Sequence, residues 1–361
     1  MRSSSGEYYE RLDHLRALAV FLAFCWHFLH ERAVPFGYVP AFPPLSILDE
    51  SHTGVALFMT LSGYLFAKLI DGRAVSFRAF LWNRIVRLAP LLTVVLLSVA
   101  AYKVAVGAMP AEEAGFRLIS GFLLPAWGNG AWSITAEIHF YLVMPLIIVA
   151  AARDVRLVLW LVLIAITVRA GIYMSEGTVR QLAYFTIAGR FDQFALGICA
   201  WTFFRGAKPH NWLMAAAFVA FVAFMHSVNV AGGIDGTLHS PVWIVFTTIE
   251  GLFYALLIAW YDGGTRQLPA VISGLIAKVG QASYSIYLLH FIVVFAAARW
   301  LDDVTDMRGM LPGLLLSVVA FAAFCPIAWL SYRLIEQPFF RYRRRYLRPG
   351  EYPLQTARSS G

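Results

Sequence analysis

Charge is what this 361-residue chain has least of. Only 14% of its residues are Asp, Glu, Lys or Arg, against about a quarter in a soluble globular domain, and that scarcity excludes an ordinary water-soluble fold. Cysteine is scarcer still. Cys25, Cys199 and Cys325 are odd in number and lie within apolar runs, which argues against a disulfide framework or a metal set and for small buried hydrophobes. There is no low-complexity tract, no coiled-coil heptad pattern and no convincing internal repeat. No small-x-small cleavage site follows the first apolar run, which is also too long for a signal segment, so it is expected to stay in the mature protein. What the chain does have is apolar residues: 60% hydrophobic and 15% aromatic, with a mean hydropathy of +0.66. This is the composition of a polytopic membrane protein.

Apolar runs separated by polar or Pro/Gly-rich breaks predict an all-α fold of ten transmembrane helices near 13–31, 53–70, 88–107, 133–151, 156–174, 191–204, 212–229, 241–261, 282–300 and 311–335. One membrane domain covers 1–348, followed by a short polar tail, 349–361. With the N-terminus placed in the cytoplasm, most of the 29 basic residues fall on inside segments, which predicts an N-in, C-in, multi-pass protein of the cell inner membrane. The net charge of +8 then reflects topology rather than a nucleic-acid partner, and the cluster from Arg341 to Arg348 is placed to rest on anionic membrane lipid. The first outside loop, 32–52, holds Pro35, Pro40, Pro43 and Pro44 and predicts an ordered irregular cap.

The stretch LDHLRALAVFLAFCWHFLHE, residues 12–31, is the most informative. Arg16 and His27 are eleven residues apart, about three helical turns, so they share one face about 16 Å apart. Ionisable groups inside a span are costly and mark functional paths. The plainer alternatives are that Arg16 snorkels to headgroups and His27 bonds a neighbouring helix. In LFMTLSGYLF, residues 57–66, Ser62 and Gly63 offer a hydroxyl and a small contact site. Arg84 and Arg87, one turn apart before Pro90, could join Arg16 as a phosphate clamp, or serve only as positive-inside flanks. In WGNGAWSITAEIHFYLVMP, residues 127–145, Trp132 suits the aromatic belt. Glu137 and His27 are each about one turn from the outer end of their helices, so a carboxylate–imidazole pair is expected. His139 points elsewhere. Arg190 and Asp192, in GRFDQFALG, are expected at the outer surface, there either to pair structurally or to bind a polar acceptor. Ser283, Tyr284, Ser285, Tyr287 and, near mid-membrane, His290 follow in GQASYSIYLLH, and Glu336 with Arg333 marks the inner boundary of the last span. His27, His30 and Glu31 have ligand-like spacing but no convergent set, so no metal is expected.

LRALAVFLAFCWH, FMTLSGYLF, NRIVRLAP, WSITAEIHFYLVMP, GRFDQFALG, SYSIYLLH and EQPFFR occur in an order that resembles the membrane-bound acyltransferase-3 family, over about residues 9–341. These bacterial enzymes move acyl groups from acyl-coenzyme A to sugars and related hydroxyl compounds. The resemblance implies a ten-span fold, His27 as catalytic base, Arg16 as its functional partner, and Arg84 and Arg87 in a basic inner motif. Two positions depart from the pattern: Asn83 stands where a further arginine is common, and His139 where Gln or Leu is commoner. Acceptor recognition is expected from the spans and short loops, without an appended hydrolase-like domain.

Two function classes follow. The first is O-acyl transfer from acetyl-coenzyme A, used as cosubstrate with no resident cofactor, to a hydroxyl of a surface polysaccharide or lipid-linked glycan, with a small molecule such as a macrolide as the alternative acceptor. That chemistry requires a base, a cationic grip on the coenzyme A phosphates and donors for the thioester oxyanion. His27 with Glu137, and Arg16 with Arg84 and Arg87, meet the first two requirements. Covalent catalysis through Ser62 or Cys25 is disfavoured because no nucleophile-elbow motif is present. The second class is a transporter or flippase of an anionic lipid-linked glycan. Acetyl transfer by purified protein separates them.

Overall fold

Long apolar runs with capping breaks dictate a helical chain, and the computed structural model bears this out over the residues it describes, 8–30, 40–120, 132–304 and 309–349. The helices are α1 (Glu10–His30), α2 (Ser46–Asp49), α3 (Gly54–Ile70), α4 (Phe77–Ala105), α5 (Ala111–Ser120), α6 (Trp132–Arg153), α7 (Val155–Glu176) and α8 (Arg180–Phe185). They continue with α9 (Ile187–Phe204), α10 (Asn211–Val230), α11 (Gly233–Gly236), α12 (Phe246–Asp262), α13 (Ala270–Gln281), α14 (Ser283–Val304) and α15 (Met310–Ser331). Local chemistry sets several ends. Asp154 accepts from the Arg156 amide and starts α7, Gly177 ends it in the left-handed conformation (φ 70), and Thr186 caps α9 through the Gly189 amide. The Glu31 and 349–361 assignments fall outside the described residues, except for Pro349.

Each predicted span has its helix. Among the described residues, seven segments are long and apolar enough to cross a membrane: Glu10–His30, Ser51–Ile70, Phe77–Ala105, Trp132–Arg153, Val155–Glu176, Asn211–Val230 and Met310–Tyr342. Helices α9 and α12, of 18 and 17 residues, are shorter and carry buried charge: Arg190, Asp192 and Glu250. The third predicted span begins too late. Helix α4 starts at Phe77, so Arg84, Arg87 and Pro90 lie within one 29-residue helix. Pro90 lacks only one donor and is accommodated where neighbours pack around it. The segment before the fourth span contains α5, and the described part of the first loop folds as short helical turns at Pro43–Leu45, Ser46–Asp49 and Ser51–Thr53.

One small sheet departs from the all-α expectation: β1 (Arg73–Val75) pairs antiparallel with β2 (Leu347–Pro349), Ala74 opposite Arg348. It ties the C-terminal segment to the start of α4. Asn83 strengthens the tie, its Oδ1 accepting the Arg344 amide N–H and its Nδ2 donating to the Arg344 carbonyl, both at 2.8 Å.

Helices α1, α3, α9 and α12 form the core. At the α3–α9 crossing, a Cβ on Gly63 would stand 2.0 Å from the Phe194 carbonyl oxygen, and one on Gly197 would stand 2.0 Å from that of Thr60. Glycine at both positions lets the backbones touch, the small-residue packing that membrane helices use in place of a hydrophobic drive. Helices α7 and α15 expose Trp160, Ile164, Leu315 and Val319, an apolar belt suited to lipid.

Candidate active site

Helix α1 runs past two adjoining cavities, with Arg16 in the wall of one and His27 in the wall of the other. The inner cavity, about 70 Å³, gathers Arg16 from α1, Ser62 from α3, Arg84 and Arg87 from α4, Ser133, Glu137 and Tyr141 from α6, and Ser283, Tyr284 and Tyr287 from α14. Arg16 donates to Asp13 at 2.5 Å. The Arg84 guanidinium lies 5.3 Å from the Phe66 and Phe80 rings and 5.7 Å from Tyr141. The Nε atoms of Arg84 and Arg87 are buried and without a hydrogen-bond partner among the described residues. A fourth arginine joins them from the C-terminal segment. Burial, then repulsion from Arg87 and Arg84, pushes the Arg343 guanidinium down to about 9, the mark of positive potential that an anion would relieve. This arginine was expected only as part of the lipid-facing cluster; its place beside α4 depends on the β1–β2 pairing, which no local pattern signals.

The outer cavity, about 280 Å³, is walled by Trp26 and His27 from α1, His52 and Val55 near the start of α3, Trp132 from α6, Arg180, Tyr184 and Phe185 from α8, Asp235 from α11, and Tyr287 and Phe291 from α14. Val55 and Tyr287 line both cavities. The two spaces therefore adjoin beside the Arg16–His27 helix. At their junction the hydroxyls of Ser133 and Tyr287 are 2.6 Å apart.

His27 packs edge-on to Trp26 and Phe291, with ring centroids at 4.6 and 4.4 Å, and lies 5.0 Å from the His290 ring. Its Nδ1 is buried with no hydrogen-bond partner among the described residues. The His290 Nδ1 faces the Tyr287 carbonyl at 2.5 Å, so Nδ1 carries the proton and Nε2 the lone pair in the neutral ring. His290 thus stands behind His27.

The expected His27–Glu137 pair does not form. The Glu137 carboxylate accepts the Tyr141 hydroxyl one turn along α6 and lines the arginine cavity. Equal distance from two helix ends says nothing about which face each residue presents, and α6 turns Glu137 toward α4. Arg190 and Asp192 are not at the surface either: both are fully buried and pair with others. Asp192 takes Arg169 at 2.7 Å and the Thr248 hydroxyl; Arg190 lies 3.5 Å from Glu250 and 4.2 and 5.2 Å from the Tyr184 and Trp132 rings. Glu336 does sit at the end of the last span, as expected. It is buried where the chain leaves α15 in a π-turn and accepts the Ser285 hydroxyl. Sequence reasoning passed over Glu50, His52 and Glu250, although an acidic residue two positions before a histidine at the head of a span is a signal of the kind sought elsewhere.

The acyltransferase-domain family model matches residues 9–333. The chain belongs to acyltransferase family 3. It is 25% identical to the peptidoglycan O-acetyltransferase OatA of Listeria monocytogenes, over 92% of this chain and 56% of that protein. It is 23% identical to putative O-acetyltransferases of Staphylococcus aureus strains COL and MSSA476, over 92% of this chain and 57% of each. The chain thus spans a little over half the length of the relatives it matches. No solved structure matches it.

Proposed function

We propose that this acyltransferase moves an acetyl or short acyl group from acyl-coenzyme A, bound from the cytoplasmic side, to a hydroxyl of a surface polysaccharide or lipid-linked glycan. In this reading ten helices cross the inner membrane with both termini in the cytoplasm. The observation that carries it is the pair of adjoining cavities, one cationic and one holding His27, which share Val55 and Tyr287 as lining residues. Arg84, Arg87 and Arg16 grip the donor's phosphates, since guanidinium stays charged and binds phosphate bidentately. The thin pantetheine arm follows the α1 face for about 16 Å and delivers the thioester to the junction. There His27 removes the proton from the acceptor hydroxyl as its oxygen attacks the carbonyl carbon. The paired Ser133 and Tyr287 hydroxyls, one of which donates to the other, are the groups assigned to face the developing oxyanion. The C–S bond then breaks, and the departing thiolate recovers the proton from the imidazolium. Support for a glycan acceptor comes from the relative named as a peptidoglycan O-acetyltransferase.

The test is transfer of radiolabelled acetyl from acetyl-coenzyme A to saccharide by the purified protein in lipid. Saccharide-dependent labelling is the expected result. Transport of an anionic lipid-linked glycan with no thioester turnover would replace this reading with the flippase.

A further inference from the structure

A buried carboxylate–imidazole pair does occur in the outer cavity, formed by Glu50 and His52. His52 Nε2 lies 3.1 Å from Glu50 Oε2, and both residues are only 3% exposed. The other Glu50 oxygen accepts the Asn229 amide at 3.1 Å, and that amide also donates to Asp49. Burial alone would raise the Glu50 carboxyl, but the hydrogen bond and charge of His52, with Asn229 and His30, carry it below its usual value, so it is ionised. The His52 ring is held from three sides, stacked 6.0 Å from Phe246 with Tyr184 and Trp26 edge-on at 5.4 and 5.9 Å. Trp26 also contacts His27, placing both imidazoles about one tryptophan on the same cavity.

That geometry leaves a ring nitrogen of His52 unsatisfied. With Nε2 committed to Glu50, Nδ1 of His52 is buried and has no hydrogen-bond partner among the described residues, a costly state unless a ligand meets it. A hydroxyl suits either protonation state of the ring, because it both donates and accepts. The surrounding wall is aromatic, from Trp26, Trp132 and Tyr184, with Arg180 already held by the Ile234 carbonyl and Asp235. Flat apolar faces around a few buried hydrogen-bonding atoms, those of His52, Trp26 and His27, match a ring that carries hydroxyls on its edge and C–H groups on its face.

We infer that His52, oriented by Glu50, binds one hydroxyl of a polyhydroxylated ring in the outer cavity and so presents a neighbouring hydroxyl to His27. The inference rests on the acyl-transfer reading above for the identity of the second hydroxyl, and on the cavity itself for the first.

Full-length protein in lipid nanodiscs is assayed with radiolabelled acetyl-coenzyme A and a panel of N-acetylglucosamine, glucose and galactose oligosaccharides. Saccharide binding is followed in parallel by quenching of tryptophan fluorescence. His52→Ala should raise the saccharide KM about 10- to 100-fold and leave the acetyl-coenzyme A KM within about twofold. His52→Asn, whose amide falls where Nδ1 stood, should recover most of the loss; His52→Gln, which reaches Glu50 but not the cavity, should not. An unchanged saccharide KM in His52→Ala, or a loss shared equally by both substrates, overturns the inference. If wild-type protein binds saccharide without acetylating it, and His52→Ala abolishes that binding, the site stands and the acyl-transfer reading falls. If no saccharide in the panel binds wild-type protein, the site falls.

Discussion

The cavity at the Arg16 end of α1 and the cavity at its His27 end share Val55 and Tyr287 and differ in nearly everything else. The inner one is narrow and ringed by guanidinium groups and hydroxyls; the outer one is wider and walled by indole, phenol and imidazole. In the proposed reaction, the contrast lets one helix serve two substrates of opposite character. Positive charge whose Nε atoms lack partners suits a polyanion, whereas rigid aromatic faces with a few fixed polar atoms suit an uncharged ring. A reaction between the two substrates belongs where the spaces meet.

Substitutions that act on one cavity and spare the other test this division. The largest effect is expected at His27. His27→Ala should leave an inserted protein that binds acetyl-coenzyme A with wild-type affinity and transfers about 10²- to 10⁴-fold more slowly, the usual range for a lost general base. Donor binding measured by calorimetry beside single-turnover transfer decides it, and weakened donor binding would show that the cavities are not separable. Next is Arg87→Ala, with Arg84→Ala as its companion. Each should raise the KM for acetyl-coenzyme A by the equivalent of about 1.5–3 kcal/mol if a charged hydrogen bond is lost, while saccharide KM holds. Lysine at either position should recover part of the loss, because it restores charge without the two-pronged geometry. If both alanine variants bind donor normally, these arginines only anchor topology.

Glu137→Gln gives the smallest and sharpest test. A carboxylate beside His27 would make this change a defect in proton transfer. Its observed place beside Tyr141 and the arginines predicts a change in donor KM of under about tenfold, with single-turnover chemistry at saturating donor unaltered. Slowed chemistry at unchanged donor KM would return Glu137 to the base.

Much of this was legible from the chain. Helix positions followed from apolar runs and their caps, and the Ser62–Gly63 contact from residue size alone. Arg16, Arg84 and Arg87 could be grouped because one helical period sets Arg84 and Arg87 on a face and the shared inner boundary places Arg16 with them. Errors came where an argument needed the rotation of one helix relative to another. Glu137 was assigned to His27 by depth, and Arg190 was set at the surface because it begins a helix. In the fold, Arg190 is buried because Glu250 on α12 and two aromatic rings replace the water it gives up.

Composition and periodicity by themselves determined a helical membrane protein, the places of its long apolar helices, and the Arg16–His27 face, because each depends only on local hydropathy and the pitch of a single helix. The tertiary structure alone decided which charges meet. Glu50 with His52 beside the outer cavity, Arg343 beside Arg84, and Arg169 with Asp192 in the core are contacts between separate elements, or are oriented by them. Their energies depend on distance and on exclusion of water, and neither quantity is written in the spacing of residues along a chain.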